Sequence, residues 1–243
     1  MQKITFFIAG LLSLAPLAGF AQELRPRTAG EDRFWKKADA VVRKAIPHTP
    51  GNGWEISAET TDDSGFQPDK TWAEDKGPYS YVYEITFVLN PETVKARLDS
   101  VAQLVVTAPE RAEELVRQME RISAEAQCRI VMIVNSNYSA LGFCSGKPSF
   151  PTYPATTAAV RVPAGASCEA ATMLLLGKFA KPATDKLDGQ SGTVSANGIL
   201  TGGGAFTLHN VEIKFRAAPD VADFFIRKTD IAGLAALVGT SLR

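Results

Sequence analysis

The chain has 243 residues, 45% of them hydrophobic and 21% charged, with 26 Lys and Arg against 26 Asp and Glu. These proportions are ordinary for a folded globular protein. The balanced charge excludes partners that are bound mainly through bulk charge, such as nucleic acid or an anionic membrane surface.

The first 21 residues have the pattern of a secretory signal peptide. Lys3 provides the positive start, residues 4–17 form an apolar segment, and Gly19-Phe20-Ala21 is a small-x-small cleavage site. Because the apolar segment is shorter than the roughly 20 residues that span a bilayer, cleavage before Gln22 is favoured over an uncleaved anchor. We expect a protein exported to the periplasm or the exterior, with no membrane span left after cleavage.

Helix and strand patterns alternate in the first half of the mature chain. Apolar residues at helical spacing predict a helix over 31–46. A strand is predicted at 54–58, and a second at 79–89, where aromatic and β-branched residues alternate. The polar segment 60–78 between them is expected to be a long exposed loop.

Two amphipathic helices are predicted next. Asn90-Pro91-Glu92 combines an N-cap residue, a proline in the first turn and an acidic residue near the positive end of the helix dipole. Thr107-Ala108-Pro109-Glu110 has the pattern of a capping box and is expected to open the second helix. A strand at 129–134 follows.

The second half is richer in Gly, Pro, Ser and Thr. Residues 169–179 fit either a helix or a buried strand, because a short apolar run is compatible with both. The final helix is expected to begin at Pro219 and to break at Asp230. Strands are predicted at 159–162, around Asn197-Gly198 and Gly202-Gly203-Gly204, and at 211–215.

The pattern Glu-Ile-x-Phe-x-x-x-Pro-acid occurs twice, beginning at Glu84 and at Glu212. It indicates either two related β-α units packed strand to strand or two independent helices with Pro at the first position. Together the elements predict one α+β domain over 22–243, with a mixed or antiparallel sheet and amphipathic helices packed on one face. A division into two lobes near 138–156 is the alternative.

Three cysteines lie in the mature chain, where an exported protein can keep disulfides. Cys128 precedes an apolar run and is expected to be a buried thiol. Cys144 and Cys168 lie in loop-like sequence, so we predict a disulfide between them and one free cysteine.

The enzyme motifs in the sequence lack their required context. Gly142-Phe143-Cys144-Ser145-Gly146 resembles a nucleophile elbow in form only, because the prolines that follow prevent the helix that the elbow requires. A pair of Cys144 or Cys168 with His209 would suit a thiol enzyme. A solvated His48 and a strand-end His209 are the simpler interpretation.

No metal or cofactor site is predicted. Zinc ligands in close pairs are missing from the sequence, and so is a phosphate-binding glycine loop followed by Lys and Ser or Thr. An acidic cluster in the 60–78 loop lacks the order of a calcium-binding loop and is interpreted as solvated. Its members are Asp62, Asp63, Asp69, Glu74 and Asp75.

A row of tyrosines is the main candidate for binding. Tyr79, Tyr81 and Tyr83 are two residues apart, so in a strand their rings project from one side. With Trp72 in the preceding loop, they would offer a flat surface for a protein, peptide or carbohydrate. The alternative is that these rings continue the buried face of Ile85.

The sequence thus favours a non-enzymatic binding or interaction protein of the cell envelope or exterior. An exported hydrolase that uses a Cys/His pair or loop carboxylates is the alternative. A subunit of a larger envelope assembly is a third hypothesis, which predicts a long exposed edge strand or a large apolar patch.

Overall fold

The structure is a computed structural model that describes residues 26–61, 78–165 and 168–243. The predicted signal peptide at 1–21, the candidate binding residue Trp72 and the acidic cluster between Asp62 and Asp75 lie outside the described residues.

The described residues contain nine strands, which form two antiparallel sheets. The larger sheet has the order β1 (Trp54–Thr61), β2 (Tyr81–Leu89), β3 (Gln127–Val134), β9 (Asn210–Arg216), β6 (Ala171–Gly177), β5 (Ala158–Val162). The smaller sheet has the order β4 (Tyr138–Phe143), β8 (Gly192–Asn197), β7 (Ala183–Lys186). The alternative boundary between two lobes lies at residues 138–156. The larger sheet contains three strands that precede them, β1, β2 and β3, and three that follow them, β5, β6 and β9.

In the described part of the chain, five α-helices accompany the sheets and confirm the predicted α+β class. They are α1 (Ala29–Ala45), α2 (Pro91–Thr107), α3 (Ala112–Ala124), α4 (Pro219–Lys228) and α5 (Ile231–Ala236), with a short 3-10 helix (Pro109–Arg111) before α3. Among the residues described, no helix is long and apolar enough to cross a membrane.

The main core lies between one face of the larger sheet and helices α1, α4 and α5. Ile85, Ile130 and Phe215 lie side by side across three neighbouring strands and are completely buried. The Phe87 ring packs against that of Phe225 on α4, with centroids 4.7 Å apart. The period-two pattern of β2 therefore buries every second residue against helices, as in a sheet with one covered face.

A second core lies on the opposite face of the same sheet, under the smaller sheet. Val160 of β5 and Met173 of β6 pack in one cluster with Leu141 of β4 and Val194 of β8. Strand β6 contributes to both cores, because Leu174 and its alternate neighbours face the helices. This explains why its sequence is a continuous apolar run.

Helices α2 and α3 form a hairpin that packs mainly on itself and contacts the rest of the described chain chiefly at β2. Val101 and Leu115 are its buried residues. Apolar side chains remain open to solvent elsewhere on it: the residues Leu104, Val106 and Val116 are 47%, 83% and 48% exposed. The hairpin is thus a partly apolar projection of the domain.

The predicted capping box at Thr107 is wrong. Thr107 is the last residue of α2, and its hydroxyl donates back to the carbonyl of Gln103 at 3.2 Å. Hydrogen bonding of a threonine hydroxyl to the preceding turn competes with N-capping of the next helix. Helix α3 begins at Ala112 without a side-chain cap.

Both copies of the repeated pattern are strand-to-helix junctions, β2 to α2 and β9 to α4. The two strands share one sheet but β3 lies between them, so they do not pair with each other. The helices also differ, since α2 packs on α3 whereas α4 enters the main core.

Candidate functional site

A cavity of about 610 Å³ opens between a proline-rich loop and the two C-terminal helices. The loop 151–154 forms one wall, and Arg161 projects from β5 beside it. The opposite wall comes from α4 and from residues 229–232 at the start of α5. The volume lies within the range of small-molecule binding sites.

Three side chains form a hydrogen-bonded triad on the cavity wall. Tyr153 donates its hydroxyl to Oδ1 of Asp223 at 2.7 Å. Arg161 donates from Nη2 to that oxygen at 2.5 Å and from Nη1 to Oδ2 at 3.3 Å. Its Nη2 also donates to the Tyr153 hydroxyl at 2.5 Å. The two charges are thus neutralised by direct contact.

Local structure fixes each member of this triad. Arg161 is in an edge strand whose outer backbone pairs with Ser149, and its Nε donates to Thr172 Oγ1 on β6 at 3.0 Å. Tyr153 lies between two prolines, which limit the backbone freedom of the loop. Asp223 is in the second turn of α4. The triad is therefore held by the sheet, a stiff loop and a helix.

The protonation states of the triad follow from this geometry. Burial raises the pKa of Tyr153, and the hydrogen bond to Asp223 adds to the effect, bringing it to about 12. Burial opposes ionisation of Asp223, but the hydrogen bonds from Arg161 and Tyr153 outweigh it and lower the pKa of the carboxyl. At neutral pH the triad is a neutral phenol, a carboxylate and a guanidinium.

Such a triad suits recognition better than acid–base catalysis. A general acid or base works best when its pKa is near the operating pH, and both shifts move away from neutrality. The fixed donors and acceptors instead provide an oriented polar patch beside apolar walls, which is the usual composition of a binding cavity.

The candidate binding tyrosines lie in the core. Tyr79, Tyr81 and Tyr83 are at most 1% exposed, and their rings face α1. Tyr79 donates its hydroxyl to Glu31 at 2.6 Å, and Tyr81 donates to Asp39 at 2.5 Å. This position corresponds to the alternative interpretation, in which the rings continue the buried face, and it offers no open ring surface to a ligand.

The cysteines are arranged as the sequence predicts. Cys144 and Cys168 are joined as a disulfide, with Cα atoms 5.8 Å apart. Cys128 is the free cysteine; it is completely buried, and burial raises the pKa of its thiol. None of the three sulfurs therefore presents the thiolate that a Cys/His hydrolase needs.

The histidines and the acidic groups form no metal centre in the described part of the chain. His209 is 2% exposed, and burial, with the nearby Lys178 charge, lowers its pKa. His48 is exposed, and its ring lies 3.1 Å from the carbonyl of Arg43. Within residues 26–61, 78–165 and 168–243, no three His, Cys, Asp or Glu side chains form a group that could hold a metal ion.

A buried Ser–Glu–Lys cluster lies between the sheets but is closed to substrate. Ser136 donates to Glu212 at 2.7 Å, and Lys214 forms an ion pair with that carboxylate at 2.5 Å. Ser136 and Glu212 are at most 3% exposed. The cluster therefore balances the charge of a buried carboxylate under the smaller sheet.

The sequence did not single out Tyr153, Arg161 or Asp223. One signal was present, since Arg161 is the charged residue of a short apolar strand and a charge in that position requires a partner. The chain matches no protein-family model, no curated protein and no solved structure.

Proposed function

We propose that this chain is an exported, non-enzymatic binding protein that holds a small ligand in the cavity beside Tyr153. The observation that supports this proposal most directly is the cavity, which has the hydrogen-bonded triad of Tyr153, Arg161 and Asp223 on its wall. The disulfide supports the assignment to an oxidising compartment, because such bonds persist outside the cytosol.

The triad supports binding because its three side chains hold one another in place through hydrogen bonds. Residues that are held by hydrogen bonds to each other lose little conformational freedom when a ligand arrives, which lowers the entropic cost of association. Pro151 and Pro154 on the loop wall supply apolar surface for burial, whereas Ile226 and Ile231 on the opposite wall are only 4% and 8% exposed.

To test the proposal, a large side chain is introduced into the cavity, and the binding of small molecules to the variant is compared with binding to wild type. Ala232 and Ala236 are both exposed residues of α5, but only Ala232 lines the cavity. Binding of a fragment library to the mature protein is measured by saturation-transfer NMR for wild type, Ala232→Trp and the control Ala236→Trp. We expect fragments to bind wild type and the control and to lose binding in Ala232→Trp. Equal binding to all three proteins would contradict the proposal.

A second candidate function is docking to a protein partner in a larger assembly. The specific observation is the α2–α3 hairpin, which leaves Val106 83% exposed. Strand β1 adds an exposed edge, since residues 55–60 are all exposed. Apolar patches and open strand edges are features of interaction surfaces.

Site-specific photocrosslinking in the producing cell tests this second function. A photoreactive amino acid at position 106 or 116 should yield a discrete crosslinked product, whereas the same group at the exposed position 99 of α2 should not. The absence of products from both apolar positions would remove the hairpin as a docking surface.

A further inference from the structure

We propose that the cavity beside Tyr153 binds the carboxyl terminus of a peptide with an apolar last residue, and that Arg227 receives the terminal carboxylate. This inference rests on the proposed binding function and names the ligand class. It depends on which charged side chains of the cavity lining already have a partner among the described residues.

Arg227 is the open charge. It lines the cavity from α4, its residue is exposed, and it has neither a hydrogen bond nor an ion pair within the described chain. Its charge nevertheless contributes to lowering the pKa of Asp223, so the two side chains share one electrostatic environment. A guanidinium with its planar donors free matches a carboxylate in two parallel hydrogen bonds.

Arg161 leaves one donor for a neighbouring acceptor. A guanidinium has five N–H groups. Four are used, by Thr172 at Nε, by Asp223 at Nη1, and by Tyr153 and Asp223 at Nη2. The remaining N–H on Nη1 is suited to a neutral carbonyl oxygen, since the Arg161 charge is already balanced by Asp223. A peptide carbonyl next to a terminal carboxylate supplies both acceptors.

Two carboxylates limit the charge of the ligand. Asp223 and Asp230 both line the cavity, and Asp230 uses Oδ1 to accept from the Gly233 amide at 2.8 Å. Arg161, Arg227 and these two aspartates give the lining no net charge. A ligand with one carboxylate is therefore favoured over a dicarboxylate or a phosphate, because the two aspartates of the lining would repel a second negative charge.

Apolar side chains fix the nature of the last residue. Pro151 and Pro154 lie on the loop wall and Ile226 and Ile231 on the helical wall. Ile226 and Ile231 are only 4% and 8% exposed, so the open apolar surface belongs to the two prolines. An aliphatic side chain packed against Pro151 and Pro154 would remove that surface from water, which is the main favourable contribution to binding at such sites.

Four matched probes test the inference by isothermal calorimetry: N-acetyl-leucine, N-acetyl-leucine amide, leucine amide and N-acetyl-glutamate. We expect N-acetyl-leucine to bind about tenfold more tightly than its uncharged amide, as for one hydrogen-bonded charge, and leucine amide and N-acetyl-glutamate to bind weakly. Arg227→Gln should abolish the preference, while Lys228→Gln, the same charge loss at the next residue, should preserve it. Lys228 does not line the cavity.

The outcomes separate this inference from the proposed function. Equal affinity for N-acetyl-leucine and its amide, or an unchanged preference in Arg227→Gln, would overturn the inference. If library fragments occupy the cavity while N-acetyl-leucine does not bind, the binding function stands and the ligand class is wrong. If neither fragments nor probes bind, both proposals fail.

Discussion

Tyr153 and Asp223 are 70 residues apart in sequence, yet the phenol of one donates a 2.7 Å hydrogen bond to the carboxylate of the other. The bond connects the proline-rich loop to α4 on the wall of the cavity. Tyr153 loses its proton in the alkaline range and Asp223 gains one in the acidic range, so the contribution of each residue to stability can be measured separately.

Tyr153→Phe should change the alkaline stability of the protein. Burial raises the pKa of Tyr153 to about 12, so the folded state keeps a proton that the unfolded chain releases near pH 10. The stabilisation is therefore complete below about pH 10 and is lost as pH rises toward 12. Urea unfolding between pH 9 and pH 12 should show a smaller decline for Tyr153→Phe than for wild type. Equal slopes would contradict the assignment.

Asp223→Asn should change the acid stability. The hydrogen bonds from Arg161 and Tyr153 outweigh burial and lower the pKa of Asp223, so its stabilisation is present above the unfolded value near 4 and is lost as pH falls below it. The free energy of unfolding of wild type should fall more steeply below about pH 4 than that of Asp223→Asn. Asp99→Asn, at an exposed position of α2, is the control and should follow wild type.

Two buried tyrosines should respond differently to loss of the hydroxyl. Tyr81 donates to Asp39, so Tyr81→Phe should lower the free energy of unfolding by about 1–2 kcal/mol. The Tyr83 hydroxyl is buried without a hydrogen-bond partner in the described chain, so Tyr83→Phe should leave stability unchanged or raise it. Denaturant unfolding compares the two variants. A similar loss in both would show that Tyr83 has a partner.

The cysteines predict a defined labelling pattern. Intact mass of the exported protein should correspond to a chain that begins at Gln22. Iodoacetamide should modify no thiol in the native protein, because Cys128 is buried, and one thiol after unfolding without reductant. Replacing Cys144 and Cys168 by Ala should cost roughly 3 kcal/mol, since their bridge closes a loop with a sequence separation of 24. Three reactive thiols in the native protein would contradict this arrangement.

Gly198 should tolerate no side chain. A Cβ atom there would lie 1.8 Å from the carbonyl oxygen of Ser136, whereas one at Gly189 would have nothing within 4 Å. Gly198→Ala should therefore lower stability by more than about 2 kcal/mol, and Gly189→Ala by no more than about 0.5 kcal/mol. Thermal unfolding of the two variants makes the comparison, and a well-tolerated alanine at 198 would contradict the close backbone approach.

Sequence reasoning succeeded where the signal was local. The alternation along β2 and the Asn90 N-cap, whose side chain accepts from the Glu92 amide at 2.9 Å, are complete within a few residues. The predicted break at Asp230 is also local. The Asp230 side chain accepts a hydrogen bond from the Gly233 amide at the start of α5.

The smaller sheet depends on distant partners. Strand β7 is exposed along its whole length, and its sequence has no apolar periodicity. It is a strand because residues such as Thr184 pair with Val194 on β8. Strand β4 also pairs with β8 and was not predicted, because its glycine-containing segment resembles a loop in sequence.

The candidate site was beyond sequence reasoning for a related reason. Arg161 and Asp223 are 62 residues apart, and only the packing of α4 beside the sheet edge brings them together. Alternation alone does not distinguish a ring that faces solvent from one that faces a helix, so the sequence of β2 is compatible with both interpretations of the tyrosine row.

Strand β6 has a consequence for how the molecule unfolds. Leu174 and Leu176 belong to the core under the helices, while Met173 and Leu175 belong to the core under the smaller sheet. Displacing this strand would expose both cores to water at once. We therefore expect loss of β6 from the larger sheet to be a global rather than a local unfolding event.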